Sequence, residues 1–251
     1  MSNEEKNYIF FGRIHPERCA VDLKIPPFKF NTSNFNAEID FIITKSQLII
    51  KLKTSKDIEI YTLKNYVEEV IRSAVDSYGY LTGRGYDVEI ISAINPNNEY
   101  DTFSIEIPAL AKFRESNMMK IEDIFKGVLK SSNFSKVLFN IREAIRQPAD
   151  TGFFCYRAIE SIRQDFLPKE EDDKKKARTK SWKNLNEKLL IDRNFTKTLE
   201  EFATPLRHGE SMDISDEKRA KLFLTTYKII DRYIIYLRDG KIDESKFEKL
   251  E

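Results

Sequence analysis

The chain has 251 residues, 41% hydrophobic and 33% charged, a balance that suits a soluble globular protein and argues against a disordered or membrane-embedded one. Its 42 basic and 41 acidic residues leave a formal charge of +1, so no global field draws it to nucleic acid or to a membrane. Any such contact has to come from a local patch.

Two cysteines, Cys19 and Cys155, stand far apart in apolar surroundings with no paired spacing, and they read as reduced thiols of a cytoplasmic protein. The opening MSNEEKNY is polar and acidic rather than a secretory leader, and no apolar run approaches the roughly 20 residues of a membrane helix.

Residues 8–61 alternate with a period of two. Strands are expected at residues 8–12 and 19–25, the second ended by Pro26-Pro27. In the next run Ala37, Ile39, Phe41 and Ile43 oppose Glu38 and Asp40. After the break Thr44-Lys45-Ser46, Leu48, Ile50 and Leu52 alternate with Lys51 and Lys53, as in an antiparallel hairpin without an Asn-Gly turn. Leu63, Val67, Val70, Ile71, Ala74 and Tyr78 then change the period to that of an amphipathic helix over 63–78, closed by Gly79, Gly83 and Gly85. Strands at 86–94 and 102–107 complete an α+β first domain, residues 1–110, suited to recognition.

From Ala111 the pattern is helical throughout. Helices are expected over 121–129, 134–146 and 153–167. A run of charge at 169–180 follows, then an apolar stripe through Trp182, Leu185, Leu189 and Leu190. A helix from Phe195 is expected to stop at Pro205. The last helix begins with the acidic Ser215-Asp-Glu217. It carries Ala220, Phe223, Tyr227, Ile230, Ile234 and Leu237 at three- and four-residue steps, a stripe to bury in a bundle, in a partner chain or in both. The tail after Gly240 is expected to fray.

The chemistry-bearing candidates concentrate in this second half, residues 111–251. Arg207, His208 and Gly209 join a permanent cation to a group that titrates near neutrality, the pair a metal-independent ribonuclease needs. The plainer reading is a helix cap and a polar turn. Tyr156, Arg157, Glu160 and Arg163 share a helical stripe, where Glu160 could serve His208 and Arg157 a phosphate, or the group could form internal salt bridges. Lys175, Lys176 and Arg178, followed by Trp182, could hold an RNA backbone and stack a base, or simply be solvated. His15 reads as a loop residue. No metal-ligand spacing, phosphate loop, dinucleotide fingerprint or nucleophile elbow occurs, so no metal or cofactor is expected.

The stretch Tyr156–Arg163 (YRAIESIR), the Trp-containing helix and the Arg-His-Gly turn before a long terminal helix resemble a HEPN-type helical domain over about residues 118–240. The resemblance implies a helical bundle that dimerises through its C-terminal helices, with Arg207 and His208 as catalytic candidates. Active members carry an arginine four to six residues before the histidine, whereas here the two are adjacent. The resemblance therefore implies a non-catalytic binding or interaction protein, RNA-associated or defence-related, with a ribonuclease of toxin or defence type as the alternative.

Overall fold

The computed structural model describes residues 5–32, 35–104, 107–168, 173–210 and 215–251. Two compact units, Met1–Ser104 and Ile105–Glu251, divide the chain somewhat before the expected boundary near Leu110. The displaced boundary reflects a helix the sequence reading lacks, Pro108–Ser116, whose proline occupies the start of the helix, where a missing N–H costs nothing.

The first unit is α+β, as its periodicities predict. Seven strands, β1 (Lys6–His15), β2 (Leu23–Lys24), β3 (Phe28–Asn31), β4 (Asn36–Thr44), β5 (Gln47–Thr54), β6 (Asp87–Ile94) and β7 (Tyr100–Thr102), form one antiparallel sheet of order β2-β4-β5-β1-β6-β7, with β3 also on β4. Helix α1 (Ile60–Thr82) connects β5 to β6. It buries Leu63, Val67, Ile71 and Val75 at four-residue steps in one core with Phe10, Ile39, Phe41, Ile50, Leu52 and Ile90 of the sheet. At about 1.5–3 kcal/mol per fully buried aliphatic side chain, those four residues contribute roughly 6–12 kcal/mol before chain entropy is counted. The helix runs on through Gly79 and closes only at Gly83, whose φ of 66° suits a residue without Cβ.

Three local expectations change. The strand expected at 19–25 shrinks to β2, β3 forms beyond the proline pair, and β7 ends at Thr102. Residues 105–106 of the strand expected at 102–107 lie outside the described residues. The first change has a clear cause: residues 21 and 22 are committed to the β4–β5 turn. Lys45 and Ser46 both have positive φ, 47° and 65°, a conformation costly for residues with a Cβ. Compensation comes from outside the hairpin. Asp22 accepts from Lys45 N–H at 2.8 Å, Val21 carbonyl accepts from Ser46 N–H at 2.9 Å, and Ser46 Oγ accepts from Val21 N–H at 3.1 Å.

The second unit is a bundle of α2 (Pro108–Ser116), α3 (Ile121–Lys130), α4 (Ser132–Arg146), α5 (Thr151–Arg163), α6 (Lys174–Leu189), α7 (Arg193–Arg207) and α8 (Asp216–Asp239). Helix α5 packs on α4, α6, α7 and α8 and buries Cys155, Tyr156, Ala158, Ile159, Ile162 and Arg163, the signature of a central helix. The α8 stripe turns inward to the same core, with Phe223, Ile230, Tyr233 and Ile234 buried. Burial also drives the Cys155 thiol up to about 12, so it stays protonated and packs as a small apolar group.

Two expectations about helix ends are corrected. Helix α7 does not stop at Pro205 but continues to Arg207. The N–H that proline lacks falls in the last turn, where its partner carbonyl belongs to exposed Glu201 and is open to solvent. The tail does not fray. Ile242 is buried, Leu250 pairs with Ile191, Arg232 donates to Glu248 carbonyl at 2.6 Å, and its guanidinium covers Phe247 at 4.5 Å.

Replacing Ser46 by Ala is expected to cost about 1–2 kcal/mol, because Val21 N–H is left buried without its acceptor; a lowered urea midpoint and faster Val21 amide exchange would show it. Replacing Phe247 by Ala removes apolar burial and the cation contact together, an expected loss of about 1–3 kcal/mol. Limited proteolysis should then cut after Gly240 while sparing the wild type.

Candidate functional site

The polar stripe of α5 faces α6 and the end of α7. Tyr156 is buried, and its ring stacks on Trp182 with centroids 6.1 Å apart. Arg207, the last residue of α7, places its guanidinium 5.9 Å from the Tyr156 centroid. One turn along α5, Glu160 accepts from Arg178 Nη2 at 3.4 Å. A second turn along, Arg163 donates to Ser181 Oγ at 2.7 Å and lies 5.6 Å from the Trp182 centroid. Three helices thus bring three guanidinium groups, two aromatic rings and one carboxylate into a single cluster.

Its electrostatics follow from burial. Burial foremost raises the Tyr156 phenol above its ordinary value, the Glu160 and Glu200 carboxylates add to that, and Arg178, hydrogen-bonded to the phenol, opposes it. Burial likewise lowers Arg163; Glu160 counteracts this and the Arg178 charge reinforces it. Arg163 Nε has no hydrogen-bond partner among the described residues. Nearly all of this guanidinium's compensation therefore comes from Ser181, Glu160 and the indole face.

The predicted residues are not all brought together. Arg207 joins the cluster; His208 does not reach Glu160, which is taken by Arg178. His208 is exposed at the α7 C-cap, its own N–H bonded to Pro205 carbonyl at 2.9 Å, and Gly209 follows with φ 81°. Residues 211–214 of the Arg-His-Gly stretch lie outside the described residues, as do 169–172 of the charge run. Arg157 is exposed and covers Phe153 at 5.5 Å, on its own turn of α5. Lys175 and Lys176 are exposed in the first turn of α6, their amides bonded to the Asp173 carboxylate. Trp182 is half-buried against the core, one wall of the cluster rather than a free platform. His15 pairs with Glu89 at 3.0 Å in the first unit, far along the chain from these groups.

Ser181 was missed by sequence reasoning, although a signal existed. It lies on the inner stripe of α6 with Ala177, Leu185 and Leu189, and a hydroxyl on an apolar face asks for a polar partner from the facing helix.

The first unit offers a second surface. On the sheet face away from α1, the register sets Phe11 beside Ile49 and Ile49 beside Ile42. Ile49 and Ile42 are 43% and 41% exposed, so the row is open to solvent.

Residues 8–103 match the family model described as Domain of unknown function (DUF8168) N-terminal domain. Residues 121–238 match the model described as Domain of unknown function (DUF8168) C-terminal domain. With both halves matched in order over most of its length, the chain belongs to the DUF8168 family. No curated protein and no solved structure matches it. The two matched segments fall within the two structural units, one in each. Among the described residues, no helix is long and apolar enough to cross a membrane.

Ser181→Ala strips the buried Arg163 of its hydrogen-bond acceptor, with an expected cost of about 2–3 kcal/mol. Calorimetry should show the loss, and Ser181→Thr, which keeps the hydroxyl, should recover most of it.

Proposed function

We propose that the protein is a non-catalytic RNA-binding and self-associating module, in which the helical unit holds a single-stranded RNA backbone along α6. The observation that supports this most directly is the charge of that helix. It carries seven cations, Lys174, Lys175, Lys176, Arg178, Lys180, Lys183 and Lys188, against one acid, Glu187. Three of the lysines occupy the first turn with no acidic residue among them, where the helix dipole disfavours cations by about 0.3–1 kcal/mol each. Packing does not ask for them there, and a polyanion would.

Lys176, Lys180 and Lys183 fall on one outward row, at four- and three-residue steps. The partners of Lys176 and Lys183 are Asp173 at 4.0 Å and Glu187 at 3.7 Å, with lysine side chains 71% and 74% exposed. Surface pairs of this kind are worth no more than about 1 kcal/mol, and phosphates can displace them. Arg178 and Arg207, held by Glu160 and Tyr156, lie instead on the side of α6 turned toward α5. In this reading Trp182 and Arg163 are the rigid backing of the site, and the open sheet face of the first unit recognises a further partner.

The ribonuclease reading draws on one observation, that exposed His208 directly follows Arg207 at the edge of the cluster. Catalysis also needs a second proton-transfer group beside the histidine, and Glu160 is engaged with Arg178.

Fluorescently labelled single-stranded RNA, titrated with the full chain at several salt concentrations, tests the proposal. The triple change of Lys176, Lys180 and Lys183 to Ala is expected to flatten the logarithmic salt slope by about two, from three lost phosphate contacts at roughly 0.7 each. Binding with an unchanged slope would remove α6 as the interface. RNA cleavage by the wild type that disappears in His208→Ala would establish the ribonuclease reading instead.

A further inference from the structure

Helix α3 has more apolar surface than its own core uses. Its inner side packs closely: Gly127 leaves room where a Cβ would meet the Phe134 ring at 2.9 Å, and Ile124 and Val128 lean on the core. Ile121, Phe125 and Leu129 form a second row at four-residue steps, turned outward and 70%, 61% and 73% exposed. Single exposed aliphatic residues are ordinary, but an aligned row of three on one helix is an unpartnered face.

The charges beside that row identify what covers it. Asp123 and Lys130 are already tied to α8, through Arg238 at 3.3 Å and through Leu237 carbonyl at 2.6 Å. Glu122 and Lys126, both exposed, form no ion pair among the described residues, although they stand at i, i+4 on the same flank of the row. With a 1.5 Å rise per residue, a two-fold antiparallel copy of α3 centred on Phe125 brings Glu122 within about 3 Å, along the axis, of the other copy's Lys126, and the reverse by symmetry. A parallel two-fold copy puts the two Glu122–Lys126 flanks on opposite sides of the seam, where they do not meet. The same antiparallel register places Leu129 of the second copy opposite Ile121.

We infer that the outward face of α3 is a homodimer interface, in which two copies of this chain pair antiparallel through Ile121, Phe125 and Leu129 and lock register through two Glu122–Lys126 ion pairs. This rests on the self-association part of the function proposed above and names its surface. A ten-residue helix is about 15 Å long, too short to reach the roughly 800 Å² per partner of a standard stable interface. The dimer is therefore weak, populated in the micromolar range and salt-sensitive.

Sedimentation equilibrium of the full chain across the micromolar range reads this directly. Wild type is expected to show a reversible monomer–dimer equilibrium that weakens as salt is raised. Phe125→Glu should weaken dimerisation by about tenfold or more, with an unchanged circular dichroism spectrum because the side chain is exposed. Glu122→Lys alone should weaken it by about fivefold, and Glu122→Lys combined with Lys126→Glu should restore it to within about twofold, as a register pair requires. A dimer indifferent to all three variants would overturn the α3 interface and leave self-association standing on another surface. A monomer at every concentration would overturn both, while the RNA titration would still report on α6 independently.

Discussion

A guanidinium in the middle of a helical core is the constraint around which the second unit is arranged. Arg163 is 7% exposed, and burying a charge without compensation costs several kcal/mol. Compensation has to come from neighbours set at fixed distances: Ser181 Oγ, the Glu160 carboxylate one turn back, and the indole of Trp182. Each of these sits on α5 or α6, so the charge specifies how the two helices register. An apolar residue at position 163 would remove the desolvation cost, and with it the polar tie between α5 and Ser181 of α6. Glu160 serves two arginines at once, and this explains why it is not available to His208.

Other cations of the unit are spent in the same structural way. Arg219 donates to Thr151 Oγ1 and Ile145 carbonyl, both at 2.9 Å, and so closes the C-terminal end of α4, where a cation favours the helix dipole. Lys130 does the same for α8. Arg114 forms a two-pronged pair with Asp231, both bonds 2.8 Å, whose geometry makes it stronger than a surface pair. Arg232 clamps the tail. When these are set aside, α6 still carries lysines on its exposed outward side, Lys176 and Lys183 held there only by surface ion pairs. A protein of charge +1 thus carries a locally basic face along α6.

The sheet and the long helices were legible in the sequence because burial there follows a simple period: Ile39, Phe41 and Ile43 on one strand, Leu63, Val67 and Ile71 on one helix. The turn at Lys45-Ser46 was legible as a break but not as a two-residue turn, since the groups that stabilise its positive φ angles come from residues 21 and 22. The tail was misread for the same reason. Polar, charged residues 241–251 read as a frayed end, and the anchor for them, Arg232, lies on the preceding helix facing inward. In the cluster, Tyr156, Glu160 and Arg163 were visible as a stripe. Their partners were not, because which side of α6 meets them depends on packing between helices that sequence separation does not encode.

The stripes of α8 and α3 show how far an apolar pattern carries. Both announce a face that must leave water, and neither says what will cover it. The stripe of α8 is longer and more regular, and the chain covers it itself, with Phe223 and Tyr233 fully buried among α4 and α5 residues. Helix α3 is only three turns long, lies at the side of the bundle against α4 and α8, and uses a glycine to approach them. Close approach on one side leaves the opposite row standing clear of every neighbour. A short helix drawn tightly inward by Gly127 thus exposes its remaining apolar residues by the same geometry that seats it, and the flanking charges then decide which surface can meet them.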